Sequence, residues 1–402
     1  MLDRDASGPV RPDRHARLDA SNTDSDSDRD TALQGGARRL PLYPVSRLHL
    51  DAMSDDLGIW QFARGAEPDH QYGYCTDDVA RAIVVDVLHC RELPPASLES
   101  SLRRSLRFLS EAFNRESGRF LNLRQADGRW LDADASEDCH ARALLGLAQL
   151  MAEMPDTEMA VLARELFDRA LPAATSFGHL RAISGALLAC DSATGSGLSI
   201  AARPAFDELA ARLESAALFE AAEWPWPEQT LTYETAIVPR ALIAAGRRLG
   251  RPALLAQGCS VLDWLIDVQA GESGQFSPVG NRHWWQREAE RSWFDQQPIE
   301  AATMVSAAAA AFRATGRRHY LDAAEAAYGW FLGDNDLEVF MADPIRGACY
   351  DGLTPTGPNR NQGAESTLMW LTALEQMREL RRSTQGEQGA AIVAESRSGL
   401  DA

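Results

Sequence analysis

Six times along the chain, a short polar or acidic segment leads directly into a helix-length run rich in Ala and Leu. The six are Cys75-Thr76-Asp77-Asp78 before 79–90, Ser136-Glu137-Asp138 before 139–151, 176–179 before 180–190, Tyr233-Glu234-Thr235 before 236–247, Asp295-Gln296-Gln297-Pro298 before 299–313, and 361–365 before 366–378. Apolar residues recur at i, i+3 and i+4, and β-branched alternation is scarce, so the runs read as helices. A repeat of this kind constrains the fold more than any single motif. Between the six lie more highly charged amphipathic helices at about 98–113, 157–171, 204–218, 251–269 and 317–333, with a sixth partner at about 44–54. Small-residue apolar helices suit crowding on both sides, whereas the charged ones keep a solvated face. Six of each in alternation predict an all-α (α/α)6 toroid, an inner ring of helices within an outer one.

In such a ring the inner helices all start on one face, so the six polar starts converge there. The longest connections, 114–135, 219–233, 271–295 and 335–362, precede inner helices and carry Trp130, Trp224, Trp226, Trp284, Trp285 and Trp293. Long loops with clustered Trp on one face predict a cleft. Short β-pairs are expected inside these loops, for example 119–123 with 129–131 around the Asp127-Gly128 turn.

At 402 residues and 45% hydrophobic composition, the chain can bury one large core. The segment 1–40 is rich in Asp, Arg, Ser and Gly and reads as a disordered tail, 41–381 as the toroid, and 382–402 as a second polar tail. The net charge of −18 argues against a nucleic-acid partner or an anionic membrane surface. No Lys occurs, which excludes a P-loop lysine and Schiff-base chemistry. The six Cys form no C-x-x-C pair and read as reduced thiols. No apolar leader and no membrane-length apolar run is found, so the expected location is cytoplasmic.

The architecture resembles the six-hairpin glycosidase superfamily. More narrowly, four motifs resemble a bacterial helical domain found alone or fused to GT-B-type glycosyltransferases. They are Tyr72-Gly73-Tyr74-Cys75-Thr76-Asp77-Asp78-Val79-Ala80-Arg81-Ala82, Ser54-Asp55-Asp56-Leu57-Gly58-Ile59-Trp60-Gln61, Asp295-Gln296-Gln297-Pro298-Ile299-Glu300-Ala301, and Asn361-Gln362-Gly363-Ala364-Glu365-Ser366-Thr367. The resemblance spans roughly 44 to 380. It implies a carbohydrate substrate, carboxylate chemistry and a glycosyltransferase as a possible partner. No Rossmann-like glycine fingerprint is present, so a nucleotide-sugar transferase domain is absent.

The acids at the helix starts have an ordinary use, since they complement the helix dipole. Asp78 can also pair with Arg81 at i+3, and Asp138 with Arg142 at i+4. Acids repeated at several starts also provide paired carboxylates for acid–base work. In a six-pair ring, helix one faces helix four and helix two faces helix five. The opposed candidates are therefore Asp78 with Glu234, and Asp138 with Asp295. A separation of about 5–5.5 Å would indicate retention, and about 6.5–9.5 Å inversion.

Substrate contacts are expected from Asp77, Tyr74, Arg81, His140, Tyr233, Asn281, Gln296, Gln297 and Glu365, and stacking from Trp224, Trp226, Trp284 and Trp285. The Trp224-Pro225-Trp226-Pro227-Glu228 loop reads as a cleft wall, or else as a rigid plug over the core. Glu300, three residues into its helix after Gln297, reads as a capping-box acid. The expected function is glycoside hydrolysis with no metal or organic cofactor. The main alternative is a carbohydrate-binding helper of a glycosyltransferase in surface-glycan synthesis. A zinc site built from Cys75, Cys139, His140 or Cys349, as the Cys139-His140 similarity to lanthionine cyclases would have it, has weak spacing. An isoprenoid cyclase reading fails because Arg81 stands where a further acid would be needed.

Overall fold

A computed structural model of the chain describes residues 39–131, 136–195, 197–217 and 223–398. Most of the expected N-terminal tail, 1–38, lies outside the described residues.

The helices in chain order are α1 (Leu48–Ala52), α2 (Thr76–His89), α3 (Pro95–Ala112), α4 (Glu137–Glu153), α5 (Glu158–Ala174), α6 (Leu180–Gly195), α7 (Ala202–Ala216), α8 (Ile237–Arg248), α9 (Pro252–Val268), α10 (Pro298–Thr315), α11 (Arg318–Phe331) and α12 (Ala364–Ser398). Helices α2, α4, α6, α8, α10 and α12 each pack on the next, and α12 returns to α2, which closes the inner ring. Helices α3, α5, α7, α9 and α11 lie against α2, α4, α6, α8 and α10, and α1 lies against α12. This is the expected (α/α)6 toroid.

Small side chains permit the crowding. Gly146 on α4 faces the Ala80 carbonyl on α2, where an added Cβ would stand 2.8 Å from that oxygen. Along α10 the buried run includes Ala307, Ala308, Ala309 and Ala311. Pro298 opens that helix, and Gly316 closes it with φ +70°.

The sixth outer partner is a five-residue helix preceded by an extended strap, shorter than the expected 44–54. The strap is tied down by its carbonyls. Arg381 donates to Leu40 O at 2.8 Å, Tyr328 Oη to Pro41 O at 3.0 Å, and Arg378 to Tyr43 O at 2.6 Å. At the other end the backbone of α12 is helical through Ser398, beyond the start of the expected second tail at 382.

The loops on the face of the inner-helix N-termini are zipped by two-stranded antiparallel ribbons. The strands are β1 (Ala63–Arg64), β2 (Glu67–Pro68), β3 (Tyr74–Cys75), β4 (Phe113–Asn114), β5 (Arg119–Phe120), β6 (Leu123–Arg124), β7 (Thr230–Leu231), β8 (Trp285–Gln286), β9 (Ala342–Asp343), β10 (Ala348–Cys349), β11 (Gly352–Thr354) and β12 (Gly357–Asn359). Two ribbons join successive inner-helix approaches: β3 with β6, and β7 with β8. The expected hairpin is displaced. Residues 119–120 pair with 113–114, and Trp130 bridges Arg124 instead. Strand β6 is also paired with β3 on its other edge.

All six Cys are free, and five are buried. Among the described residues no His, Cys, Asp and Glu cluster fit to hold a metal is found, and no helix is long and apolar enough to cross a membrane.

Candidate active site

The first turns of α2 and α4 and the approach to α8 meet at the mouth of the ring. Arg142, on α4, donates through Nη1 to Asp77 Oδ1 at 2.9 Å and through Nη2 to Glu234 Oε2 at 2.5 Å. Arg81, on α2, donates to Asp78 Oδ1 at 3.0 Å and pairs with Glu365 Oε2 at 2.8 Å. The acids therefore do not merely complement their own helix dipoles. Two guanidinium groups stitch the starts of α12, α2, α4 and α8 together. The expected Asp78–Arg81 pair forms, but Arg142 turns away from Asp138 at i+4 and towards Asp77 and Glu234.

Burial and these cations set the proton affinities. Asp78 is 2% exposed. Burial, with Glu365 and Asp77 nearby, outweighs Arg81 and pushes its carboxyl up to about 7. Burial pushes Asp77 the same way, but Arg142 and Arg81 overcome it and hold that carboxyl below its usual range.

Glu300 performs a different task from the one its spacing predicts. Its carboxyl accepts Glu234 N at 2.6 Å and Thr235 N at 3.4 Å, so it caps the approach to α8 rather than its own helix. Gln297, the N-cap of α10, makes no capping bond with its side chain. Burial, and Glu234 close by, push Glu300 up to about 8 against the pull of the two N–H donors.

Asp138 is half-buried and keeps one oxygen unspent. Oδ2 accepts from Tyr233 Oη, while the buried Oδ1 has no hydrogen-bond partner among the described residues. The Arg181 guanidinium lies 4.7 Å from the centre of the Tyr233 ring and is anchored by Glu228 at 2.9 Å. Burial, then Asp138, raise the Tyr233 hydroxyl above its ordinary range. Trp284 stands 6.3 Å from Tyr233, ring centre to ring centre.

Asp295 is part-exposed, with Arg282 at 3.8 Å. Asn281, half-buried beside it, donates its backbone N–H to the Asp295 carbonyl at 3.0 Å. Among the described residues, five non-glycine residues have left-handed backbones, and three of them, Glu234 (φ +50°), Trp284 (φ +58°) and Asp295 (φ +59°), sit on these mouth loops. Strain of roughly 1–3 kcal/mol per residue gathered at one place is a mark of a functional site.

Several expected contacts lie elsewhere. Tyr74 is buried, donates to Asp55 Oδ2 at 2.6 Å and stacks on Trp60. His140 sits in the core between Phe120 and Phe177, with Nε2 at 3.0 Å from Ala170 O. Gln296 is buried, and its amide is engaged by Trp293 O, Asp336 and Trp330. Trp224 and Trp226 are buried as well. Trp224 packs edge-on against Trp264 and Trp285 and donates to Glu228 O, so the loop is the plug and not the cleft wall. Trp285 belongs to the same plug through Trp264. The mouth is left with Asp77, Arg81, Asp138, Tyr233, Asn281, Trp284, Asp295, Gln297 and Glu365.

The groups sequence reasoning underrated are Glu300 and Arg181. Glu300 fits a capping box, which hides any other use. Arg181 has no acid at i+3 or i+4, and that lack is the one signal of a partner outside its own helix, Glu228 on the loop before β7.

The fold is the six-hairpin (α/α)6 toroid. No protein-family model and no curated protein matches the chain, but solved structures with the same architecture do. A cellobiose 2-epimerase from Spirochaeta thermophila is 16% identical over 84% of this chain and 93% of its own, with a TM-score of 0.63. A second cellobiose 2-epimerase, from Bacillus thermoamylovorans, is 10% identical over 85% and 96%, with a TM-score of 0.67. A GH76 alpha-mannanase from Bacteroides thetaiotaomicron is 9% identical over 84% and 95%, with a TM-score of 0.60.

Proposed function

We propose that this chain is a carbohydrate-processing enzyme that hydrolyses an oligo- or polysaccharide by carboxylate acid–base catalysis at the ring mouth. The observation that carries the reading is Asp138, a half-buried carboxylate with one oxygen on Tyr233 and the other unspent. Of the two opposed pairs, Asp78 and Glu234 are held by Arg81 and Arg142. Among the described residues, Asp138 is held by no guanidinium and keeps Oδ1 without a hydrogen-bond partner, and Asp295 is part-exposed with Arg282 no nearer than 3.8 Å. One of them donates its proton to the glycosidic oxygen as the bond to the anomeric carbon breaks. The other takes a proton from the water that adds to that carbon. Trp284 gives a sugar ring an apolar face, and Asn281, Gln297 and Glu365 meet hydroxyls. No step needs a metal or organic cofactor. Six unbridged thiols support a cytoplasmic location.

A second reading rests on a specific observation. Asp77, Asp78, Glu234 and Glu365 are all engaged in ion pairs with Arg81 and Arg142, as suits a glycan-binding helper of a glycosyltransferase.

The test is product release from α- and β-glucans, mannans and bacterial glycolipid headgroups. Cellobiose and mannose are read separately for epimerisation and isomerisation. Wild type is run beside Asp138→Asn, Asp295→Asn, Asp78→Asn and Glu234→Gln. Glycan cleavage that fails in Asp138→Asn and Asp295→Asn supports hydrolysis by that pair. Saturable binding with no turnover of any sugar overturns it and favours the helper.

A further inference from the structure

The hairpin ahead of α2 carries two large aromatic side chains that the core does not use. Phe62 is 42% exposed and Tyr72 is 51% exposed. Their ring centres are 4.9 Å apart and the planes stand at 77°, so they form an open corner. Exposed apolar side chains are common singly, but two rings in edge-to-face contact offer a continuous patch.

The backbone beneath them is firmly fixed. Gln61 N donates to Gly73 O at 2.9 Å, and Asp69 N to Phe62 O at 2.8 Å. Strands β1 and β2 close the turn at Gly65, and Arg64 pairs with Asp69 at 2.7 Å. Trp60 lies buried behind, stacked on Tyr74 with centres 4.3 Å apart. Rings held this way lose little further freedom on binding a ligand.

The same hairpin is tied to the start of α12. Ala364 N donates to Gln61 O at 3.1 Å, Gln362 N to Gly65 O at 2.9 Å, and Gly65 N to Asn361 Oδ1 at 3.0 Å. Phe62 and Tyr72 are thus bracketed by two mouth elements. Glu365 follows one tie directly, and Asp77 and Asp78 follow Tyr72 through β3. The patch is joined to the mouth by these ties, which hold its hairpin to the start of α12, where Glu365 pairs with Arg81.

We infer that Phe62 and Tyr72 form an outer sugar-stacking subsite, which receives a pyranose ring of a glycan whose reacting bond lies at the ring mouth. The inference rests on the carbohydrate reading above and deepens it, because it makes the substrate an oligosaccharide rather than a mono- or disaccharide. A pyranose presents a face of C–H groups to an aromatic ring while its rim hydroxyls stay polar. The surroundings match that rim: Asn361, His70, Gln71 and the Arg64–Asp69 pair edge the corner. A protein partner would meet this charged edge around only two apolar rings, too little for a buried interface core.

The experiment is binding of cello-, malto- and manno-oligosaccharides of two to six units, followed by calorimetry, to wild type, Phe62→Ala and Tyr72→Ala. Neither ring is in the core, and thermal unfolding checks that both variants fold as wild type does. The expected result is tighter binding of wild type as one series lengthens. Each variant then loses about tenfold in affinity for the longest member, the size of one lost ring stack, and is unchanged for the dimer. Length-dependent binding by wild type that both variants retain overturns the subsite and leaves the carbohydrate reading standing. No binding of any oligosaccharide by wild type overturns both.

Discussion

The Glu300 carboxyl receives the backbone N–H of Glu234 at 2.6 Å, so the first turn of α10 holds the chain that leads into its neighbour α8. This keeps Glu234 in its left-handed backbone and aims its side chain at Arg142. A buried acid in this role has a pH signature. Glu300 ionises at about 8 in the fold against 4.5 in the unfolded chain, so between those values the folded state holds one more proton. Stability then falls as pH rises, by at most about 1.4 kcal/mol per unit. The buried His49 and His89 are lowered from 6.5, so their opposing slope is confined to more acid pH. Urea unfolding between pH 6.5 and 8 should show wild type losing stability more steeply than Glu300→Gln. Asp78, up at about 7, adds the same slope to both proteins and cancels in the comparison. Parallel curves would mean that Glu300 is already ionised.

Arg142 joins Asp77 to Glu234, and truncating it leaves two carboxylates facing each other with little water. Arg142→Ala should cost roughly 3 kcal/mol, the usual size for breaking a buried pair. Asp77 should then lose the cation that keeps its carboxyl below the normal range. A folded value below the unfolded one stabilises above the unfolded pKa and is lost as pH falls through the folded one. The variant should therefore be less sensitive than wild type to acid below 3.8, the unfolded value of Asp77. Arg142→Lys, with a single point charge in place of a fork, should recover only part of the loss. Chemical denaturation across pH 2–7 measures both effects.

The ring itself was legible because each level of the sequence agreed on it. Ala-rich runs, charged partners and polar starts all mark the same twelve segments, and apart from the C-terminal end of α12 the helices fall within about five residues of their expected bounds. The site was legible only in part. Asp77, Asp78, Asp138, Glu234 and Asp295 stand at helix starts, where position along the chain decides location. The partners they choose depend on which neighbour is near, and spacing carries no such information. Arg142 has Asp138 at i−4 and bonds Asp77 and Glu234 instead. Tyr74 and Gln296 adjoin the acidic starts yet are buried, each held by partners distant in the chain, Asp55 and Trp60 for Tyr74 and Asp336 and Trp330 for Gln296.

Gly73 tests how closely the hairpin must approach β6. Its φ is +70°, and an added Cβ would stand 2.1 Å from Arg124 O, which is backbone and cannot step aside. Gly73→Ala therefore combines left-handed strain with a clash, and should cost about 2–4 kcal/mol. Gly65, in the same hairpin at φ +61°, has nothing within 4 Å of the added carbon. Gly65→Ala should cost only about 1 kcal/mol, the conformational part alone. Equal losses in thermal unfolding would count against the close approach as the cause.

Tyr233 and Asp138 should behave as one unit in catalysis, because the hydroxyl reaches the reaction only through the carboxylate it donates to. Asp138→Asn removes the carboxyl group that gives or takes the proton and should lower kcat by about 10²–10⁴, the usual yield of a positioned acid or base. Tyr233→Phe keeps the ring under Arg181 but frees Asp138 Oδ2, so the carboxylate is no longer oriented. A loss of about tenfold in kcat with KM little changed is expected, as for the loss of a geometric constraint. The double variant should be no slower than Asp138→Asn alone, since a residue that acts through another has nothing left to orient. Losses that multiply in the double variant would show that Tyr233 meets the substrate on its own account. A rise in KM alone for Tyr233→Phe would make it a binding residue, and the pairing with Asp138 would then matter to the resting protein and not to the reaction.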